Sequence, residues 1–330
     1  MTYDIVTFGS ATRDIFLRTK NFLIGDFKID HIQKEILLPY GFKINVEEMH
    51  LHSGGGGTNT AATFAAQGLK IAYCGLIGND PEGEAIVREL KKRGISTNFI
   101  SKTKKKPTNI SVIFSTPKER TILVYKGASE ELTISQIPWS EIKKTKWFYL
   151  GPFSQKLFNV FKSIVNFAKD NNIKIMLNPS TDQLKMPSQV LYPLLNKIDI
   201  LILNKEEAQV LIENSSSDYE DLFKKIREFF SGIIIITNGV KTVFVGENNF
   251  LYLAKPLKIN VLDKTGAGDA FGSGFLATYI NTKGDIIKSI QFAIANSASC
   301  LKKWGAKGGI LKKGQKFRTV KVIRKKYEDA

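Results

Sequence analysis

The chain has 330 residues, 43% of them hydrophobic, which is enough for a sizeable core in one large α/β domain or two smaller ones. Its net charge of +17, from 48 Lys and Arg against 31 Asp and Glu, suits an anionic substrate or a polyanion. No apolar run approaches the ~18 residues of a membrane helix, MTYDIVTFGS lacks the order of a signal peptide, and two cysteines, Cys74 and Cys300, suggest neither a disulfide framework nor a metal site. A cytoplasmic protein is expected.

Residues 3–10 read as a buried strand closing on Gly9 and Ser10. Asp14 lies just beyond, where α/β sheets place ligand-binding groups, although a simple turn-forming role stays open. Residues 15–52 hold short alternating pieces, among them 35–38 and 46–52, and predict a small antiparallel flap. His31, His50 and His52 fall within it and read as surface histidines, since no third ligand lies nearby. Then comes SGGGG at 53–57, followed by Thr58, Asn59, Thr60 and a small-residue helix ended by Gly68. Glycines between a strand and a helix predict a backbone-lined pocket, with Asn59 supplying an amide, rather than a flexible linker.

Residues 70–76 predict a strand and 81–93 a helix with Pro81 at its first position. A hairpin at 109–114 and 120–125 would complete the flap. Strands at 147–150, 173–177, 199–203 and 232–237 alternate with helices at 155–169, 205–211 and 219–230. Antiparallel partners follow at 241–245 and 250–254, then helices at about 267–281 and 284–303. The alternation predicts a mostly parallel sheet covered on both faces. Basic residues gather at 102–106 and from Lys302 to Lys326, Lys307 among them, and read as solvated surface; residues 316–330 would form an edge strand or a loose basic extension.

The chain centres on KINVLDKTGAGDAFGSGF at 258–275. Ile259–Leu262 looks like a strand end, residues 263–265 a polar turn, and a helical pattern opens near Asp269. Glycines at a helix start let unpaired N–H groups meet an anion. A carboxylate there is compatible with an ordinary helix charge, with a loose dinucleotide turn through Gly266, Gly268 and Gly272, or with a base for phosphoryl transfer. A dinucleotide site needs an acid about 20 residues on, at the end of the next strand, yet the pattern through Asp285 is helical.

Asp14, the GGGG-T-N turn, N-K-E-E at 204–207 and D-K-T-G-A-G-D at 263–269, in this order and spacing, resemble the ribokinase-like (PfkB) family of sugar and nucleoside kinases over nearly the whole chain. The resemblance implies a single three-layer α/β/α kinase domain over 1–330, with a β lid from about 15–52 and 109–125. It implies ATP-dependent transfer of the γ-phosphate to a hydroxyl of a small sugar or a nucleoside, with Mg2+. Asp269 matches the catalytic base, and Gly266, Ala267 and Gly268 match the anion hole. Asp14, Gly54, Gly55 and Asn59 match substrate-binding positions. Asn204, Glu207, Thr237 and Gly239 match the nucleotide end, Glu207 reaching Mg2+ through water and Asp263 standing where some members hold a monovalent cation such as K+. A homodimer through the lid also follows from the resemblance; a membrane or nucleic-acid partner does not. A nucleic-acid-binding protein on an inactive kinase scaffold is the competing class, resting on the basic C-terminus alone. Gly56 departs from the family, since many ribokinases carry Lys there, and so does Lys264, where Thr or Ser is commoner.

Overall fold

The structure is a computed structural model that describes residues 2–19, 23–25, 35–116, 120–213 and 218–326. Its strands are β1 (Ile5–Phe8), β2 (Thr12–Arg18), β3 (Leu23–Gly25), β4 (Glu35–Leu37), β5 (Glu48–Gly54), β6 (Ile71–Gly78), β7 (Ser96–Thr103), β8 (Asn109–Ser115), β9 (Arg120–Tyr125), β10 (Trp147–Leu150), β11 (Lys174–Leu177), β12 (Ile200–Asn204), β13 (Ile233–Thr237), β14 (Val243–Glu247), β15 (Phe250–Ala254) and β16 (Val322–Lys326). Its α-helices are α1 (Gly56–Ala66), α2 (Pro81–Lys92), α3 (Trp139–Ile142), α4 (Phe158–Asp170), α5 (Thr181–Leu184), α6 (Ser188–Leu195), α7 (Lys205–Leu211), α8 (Tyr219–Arg227), α9 (Ala267–Asn281) and α10 (Ile286–Cys300).

A ten-stranded sheet runs β16-β15-β14-β13-β12-β11-β10-β1-β6-β7. Neighbours from β13 to β7 are parallel, and β14 to β16 add antiparallel at one edge. Strand β13, IIIIT, is almost wholly buried, as a parallel strand covered on both faces must be. Ile234 and Ile236 enter the core shared with α4, α6, α7 and α8, while Ile233 and Ile235 enter the core shared with α1, α2, α9 and α10. The period-2 alternation of side chains therefore divides one strand between two cores and produces the three-layer α/β/α arrangement.

A second sheet, β5-β2-β8-β9, forms the lid. Its order corrects the expected antiparallel flap, because β2 and β8 are parallel, and parallel neighbours require the long crossover that β6, α2 and β7 supply. Within the insertion β3 and β4 pair antiparallel; His31 and part of the 15–52 lid lie outside the described residues.

Two other expectations change, one strand goes unread, and the edge-strand alternative for the C-terminus holds. Residues 259–262 form no strand: the β-pairing ends at Ala254, and the backbone N–H groups of Leu262 and Asp263 donate to the Leu301 carbonyl. Lys102 belongs to β7, a strand hidden by its alternating polar residues, and pairs with Glu84. His50 stacks on Trp304 at 4.9 Å and His52 meets Phe16 edge-on at 5.7 Å, so neither is a free surface histidine. The C-terminal extension pairs with β15 as an edge strand; residues 327–330 lie outside the described residues.

Strand β16 makes five register pairs with β15, and the Arg324 guanidinium sits 3.6 Å from the Phe250 ring centroid. At about 0.2–1 kcal/mol per cross-strand pair, truncation after residue 320 should lower unfolding stability by about 1–5 kcal/mol, read from the urea midpoint. An unchanged midpoint would show that the strand contributes nothing.

Candidate active site

In a parallel sheet every strand points the same way, so the C-terminal ends of β1, β10, β11, β12 and β13 share one edge, where such sheets bind ligands. Two helix N-termini meet there. The Gly57 N–H of α1 donates to the Ser10 carbonyl at 3.2 Å, holding the helix start against the end of β1. Asn59 Nδ2 donates to Asp269 Oδ2 at 2.8 Å, tying α1 to α9. Helix α1 spends its first amides on its own backbone, Gly57 on the Ser10 carbonyl and Thr58 and Asn59 on the Gly55 carbonyl; helix α9 has no side-chain cap, so the start of α9 is the one of the two suited to an anion. Gly266 is left-handed at φ 74°, and a Cβ there would stand 2.2 Å from the Ala306 Cβ, so conformation and space both require glycine. At Gly268 a Cβ would meet nothing within 4 Å, so the turn opens outward on that side. Burial raises the Asp269 carboxyl above its usual range; the Asn59 hydrogen bond and the Lys307 charge pull the other way.

Asp14 is not in a loop, as the sequence suggested, but inside β2, between His52 of β5 and Ser111 of β8. The side chain points to the body because Thr12, Asp14 and Phe16 share the buried face of the strand. A Cβ at Gly54 would lie 1.9 Å from Asp14 Oδ2, so the carboxylate rests directly on the glycine backbone. Burial pushes Asp14 up to about 6, opposed by Lys307 and a Ser111 hydrogen bond and reinforced by Asp263 and Asp269. Asn59 Oδ1 is buried without a hydrogen-bond partner among the described residues. The structure thus gathers Asp14, Gly54, Gly55, Asn59, Asp269 and the Gly266 turn around one cleft.

Further along the edge, Asn204 and Glu207 form a capping box on α7. Asn204 Oδ1 accepts the Glu207 N–H at 2.7 Å, and Glu207 Oε2 accepts the Asn204 N–H at 2.8 Å. The spacing is therefore sufficient to explain the helix start, and it also places a carboxyl, raised by burial, at the sheet edge. Thr237 stands opposite Asn204 in the parallel register, and Gly239 turns the chain at φ 50°. Asp263 shapes the anion turn: Oδ1 accepts from the Thr265 N–H and hydroxyl at 2.9 and 2.8 Å, and Oδ2 accepts from the Gly305 N–H at 3.0 Å. Arg120 of the lid pairs with it at 3.6 Å.

The sequence reading missed Lys307, taken there for solvated surface. It is 5% exposed, and its Nζ donates to the Ser53 carbonyl at 2.6 Å and hydroxyl at 3.1 Å. The available signal was its setting between Gly305 and Gly308-Gly309, a pattern of close backbone approach rather than of a charged surface run. Ser111, Glu89 and Trp304 also went unread, because only the tertiary fold brings them to the site.

A family model described as pfkB family carbohydrate kinase matches residues 18–313. Among curated relatives, the ribokinase of Haemophilus influenzae is 28% identical over 297 residues, covering 87% of this chain and 94% of its own. An E. coli protein solved in complex with ATP and Mg2+ superposes with TM-score 0.78 at 18% identity, covering 93% of this chain and 96% of its own. Adenosine kinase from Schistosoma mansoni, solved with 2-fluoroadenosine, superposes with TM-score 0.75 at 18% identity over 92% of this chain and 96% of its own.

Asp14 carries a signed stability prediction. Its folded value near 6 lies above the usual 3.8, so burying the ionised form opposes folding at higher pH, and the cost fades as pH falls through 6 toward 3.8. Asp14→Asn should raise Tm at pH 8 by about 1–3 °C and by less at pH 5. Equal shifts at both pH values, by calorimetry, would refute the assignment.

Proposed function

The chain belongs to the pfkB carbohydrate kinase family, and on that premise we propose that Asp269 deprotonates a sugar hydroxyl while the Gly266–Gly268 turn holds the transferring phosphoryl group of ATP. The Asn59–Asp269 hydrogen bond carries this reading, because it fixes a desolvated carboxylate at the start of the helix whose amides grip the phosphate. A base needs correct protonation and orientation. Burial raises its affinity for the proton, and Asn59 fixes one oxygen. Asp269 Oδ1 lies 3.5 Å from where a Gly56 Cβ would stand, so the glycine leaves the space in front of this oxygen open to an acceptor. Charge spreads over the phosphoryl oxygens during transfer, and backbone amides that are already oriented stabilise it without reorganising. Asp14 and the unpartnered Asn59 Oδ1 would take the acceptor's other hydroxyl protons.

The residues fit an ATP-borne Mg2+: such an ion keeps water and phosphate ligands and asks little of the protein, and Glu207 places one carboxyl at the nucleotide end. When bound, the ion neutralises charge building on the phosphates. The raised Glu207 carboxyl must be ionised to serve it. Asp263, with both carboxylate oxygens already hydrogen-bonded, would contribute to a K+ site only in addition to its role in shaping the turn.

A nucleoside acceptor is the second reading. Its base would seek an aromatic surface beside Asp14, and Phe16, His52, His50 and Trp304 lie there. Those rings pack on one another at 4.9 to 5.7 Å, which fills the space a base would use and favours a small sugar. The outer lid face presents Leu51, Ile15, Val112 and Leu123 in one row across four strands, with Leu51 48% and Leu123 56% exposed. We infer that a second copy covers this face, since an uncharged row of this kind pairs with itself about a two-fold axis.

ADP release measured over D-ribose, 2-deoxy-D-ribose, adenosine and inosine should show turnover with a sugar. Asp269→Asn should lower kcat by about 10^2–10^4-fold with ATP affinity little changed, and wild-type-like turnover in that variant would eliminate the mechanism. Light scattering should give about twice the 36.9 kDa chain mass, and Leu51→Lys with Leu123→Lys should return the monomer; a wild-type monomer at micromolar concentration would exclude the dimer.

A further inference from the structure

Four consecutive residues, Trp304, Gly305, Ala306 and Lys307, each touch a different part of the site. The Trp304 ring stacks on His50 and packs 5.6 Å from the Phe16 ring of the lid. The Gly305 N–H donates to Asp263 Oδ2, and a Cβ there would stand 2.7 Å from the His52 ring. Ala306 presses on Gly266 of the anion turn. Lys307 reaches under the lid strand and bonds Ser53, the residue immediately before Gly54 and Gly55.

We propose that Lys307 is a positioning residue for the acceptor: its buried ammonium fixes the Ser53–Gly55 turn and supplies the cation beside Asp14 and Asp269 that Gly56 does not. The inference rests on the kinase reading above and adds a residue to it. Two of the three ammonium N–H groups are committed to Ser53, whose hydroxyl in turn donates to Glu89 of α2, itself bonded to Arg93 at 3.0 Å. The ammonium is thus held from behind by a polar chain, with both site carboxylates within its field. The two acids need such a counter-charge: burial raises each of them, and the Asp269 charge raises Asp14 further. A lysine at position 56 would have projected into the space in front of Asp269 Oδ1. Lys307 delivers the charge from behind the Ser53 strand and leaves that space to the acceptor.

The test uses the full chain with ATP and, as probe acceptors, D-ribose and 2-deoxy-D-ribose. Lys307→Met should raise the acceptor KM by at least about tenfold while the ATP KM stays within about twofold, and Lys307→Arg should recover part of the loss. The acidic limb of kcat/KM for the acceptor should also move to higher pH. The groups facing Asp14 are Lys307 and Ser111, which lower its carboxyl, Asp263 and Asp269, which raise it, and His52 on β5; removing the lysine takes away the first of them. The Lys307→Met/Glu89→Gln variant removes the ammonium together with its partner carboxylate, so a buried charge imbalance cannot imitate the effect by unfolding; it should show the same KM split and limb shift. A parallel rise in both KM values, or an unmoved limb in a folded variant, would overturn the inference. Absence of turnover by the wild-type protein would instead count against the kinase reading itself.

Discussion

A single hydrogen bond, from Asn59 to Asp269, joins the two helix N-termini on which the site depends. Without it the start of α9 would lose its tie to α1 and the carboxylate would be free to turn toward solvent. With it, the acid is oriented and lies beside the amides. Small residues let α9 pack closely on both its neighbours: Ala61 and Ala62 are buried on α1, and Gly274 of α9 lies beside Asn296 of α10, whose Nδ2 donates to the Ala270 carbonyl at 2.8 Å.

The lid is coupled to this centre through packing and charge together. Asp14 is a lid residue by topology, since it lies within β2, yet it faces the body and rests on Gly54. Any movement of the lid must therefore move the Asp14 carboxylate. Arg120 and Trp304 add two further links, one ionic to the Asp263 turn and one aromatic to the 304–307 segment. On the proposed kinase reading, closure that excludes water and closure that completes the site would be the same event, as transfer to a hydroxyl rather than to water requires.

Much of this was legible in the sequence for local reasons. The β12–α7 boundary was read correctly because Asn204 and Glu207 form a capping box, a signal confined to four residues. The Gly266 turn was legible because positive φ and close approach leave few alternatives to glycine. What stayed hidden depends on distant partners. Strand β7 carries alternating polar residues that only the edge of the large sheet explains. The parallel pairing of β2 with β8 spans about 90 residues and leaves no local mark. His50 and His52 read as exposed because their covers, Trp304 on His50 and Gly305 against His52, lie far along the chain.

Lys307 shows why a charge run is a poor guide to exposure. Its basic neighbours Lys302, Lys303, Lys312 and Lys313 meet the expected fate of surface lysines, since composition favours solvent for each. One member of the run is drawn inside toward two buried carboxylates and the Ser53 carbonyl, where an unpaired buried charge is costlier than a paired one. Among the described residues the positive charge is thus two populations: a surface field that suits an anion, and the interior Lys307 ammonium, whose charge acts on both Asp14 and Asp269.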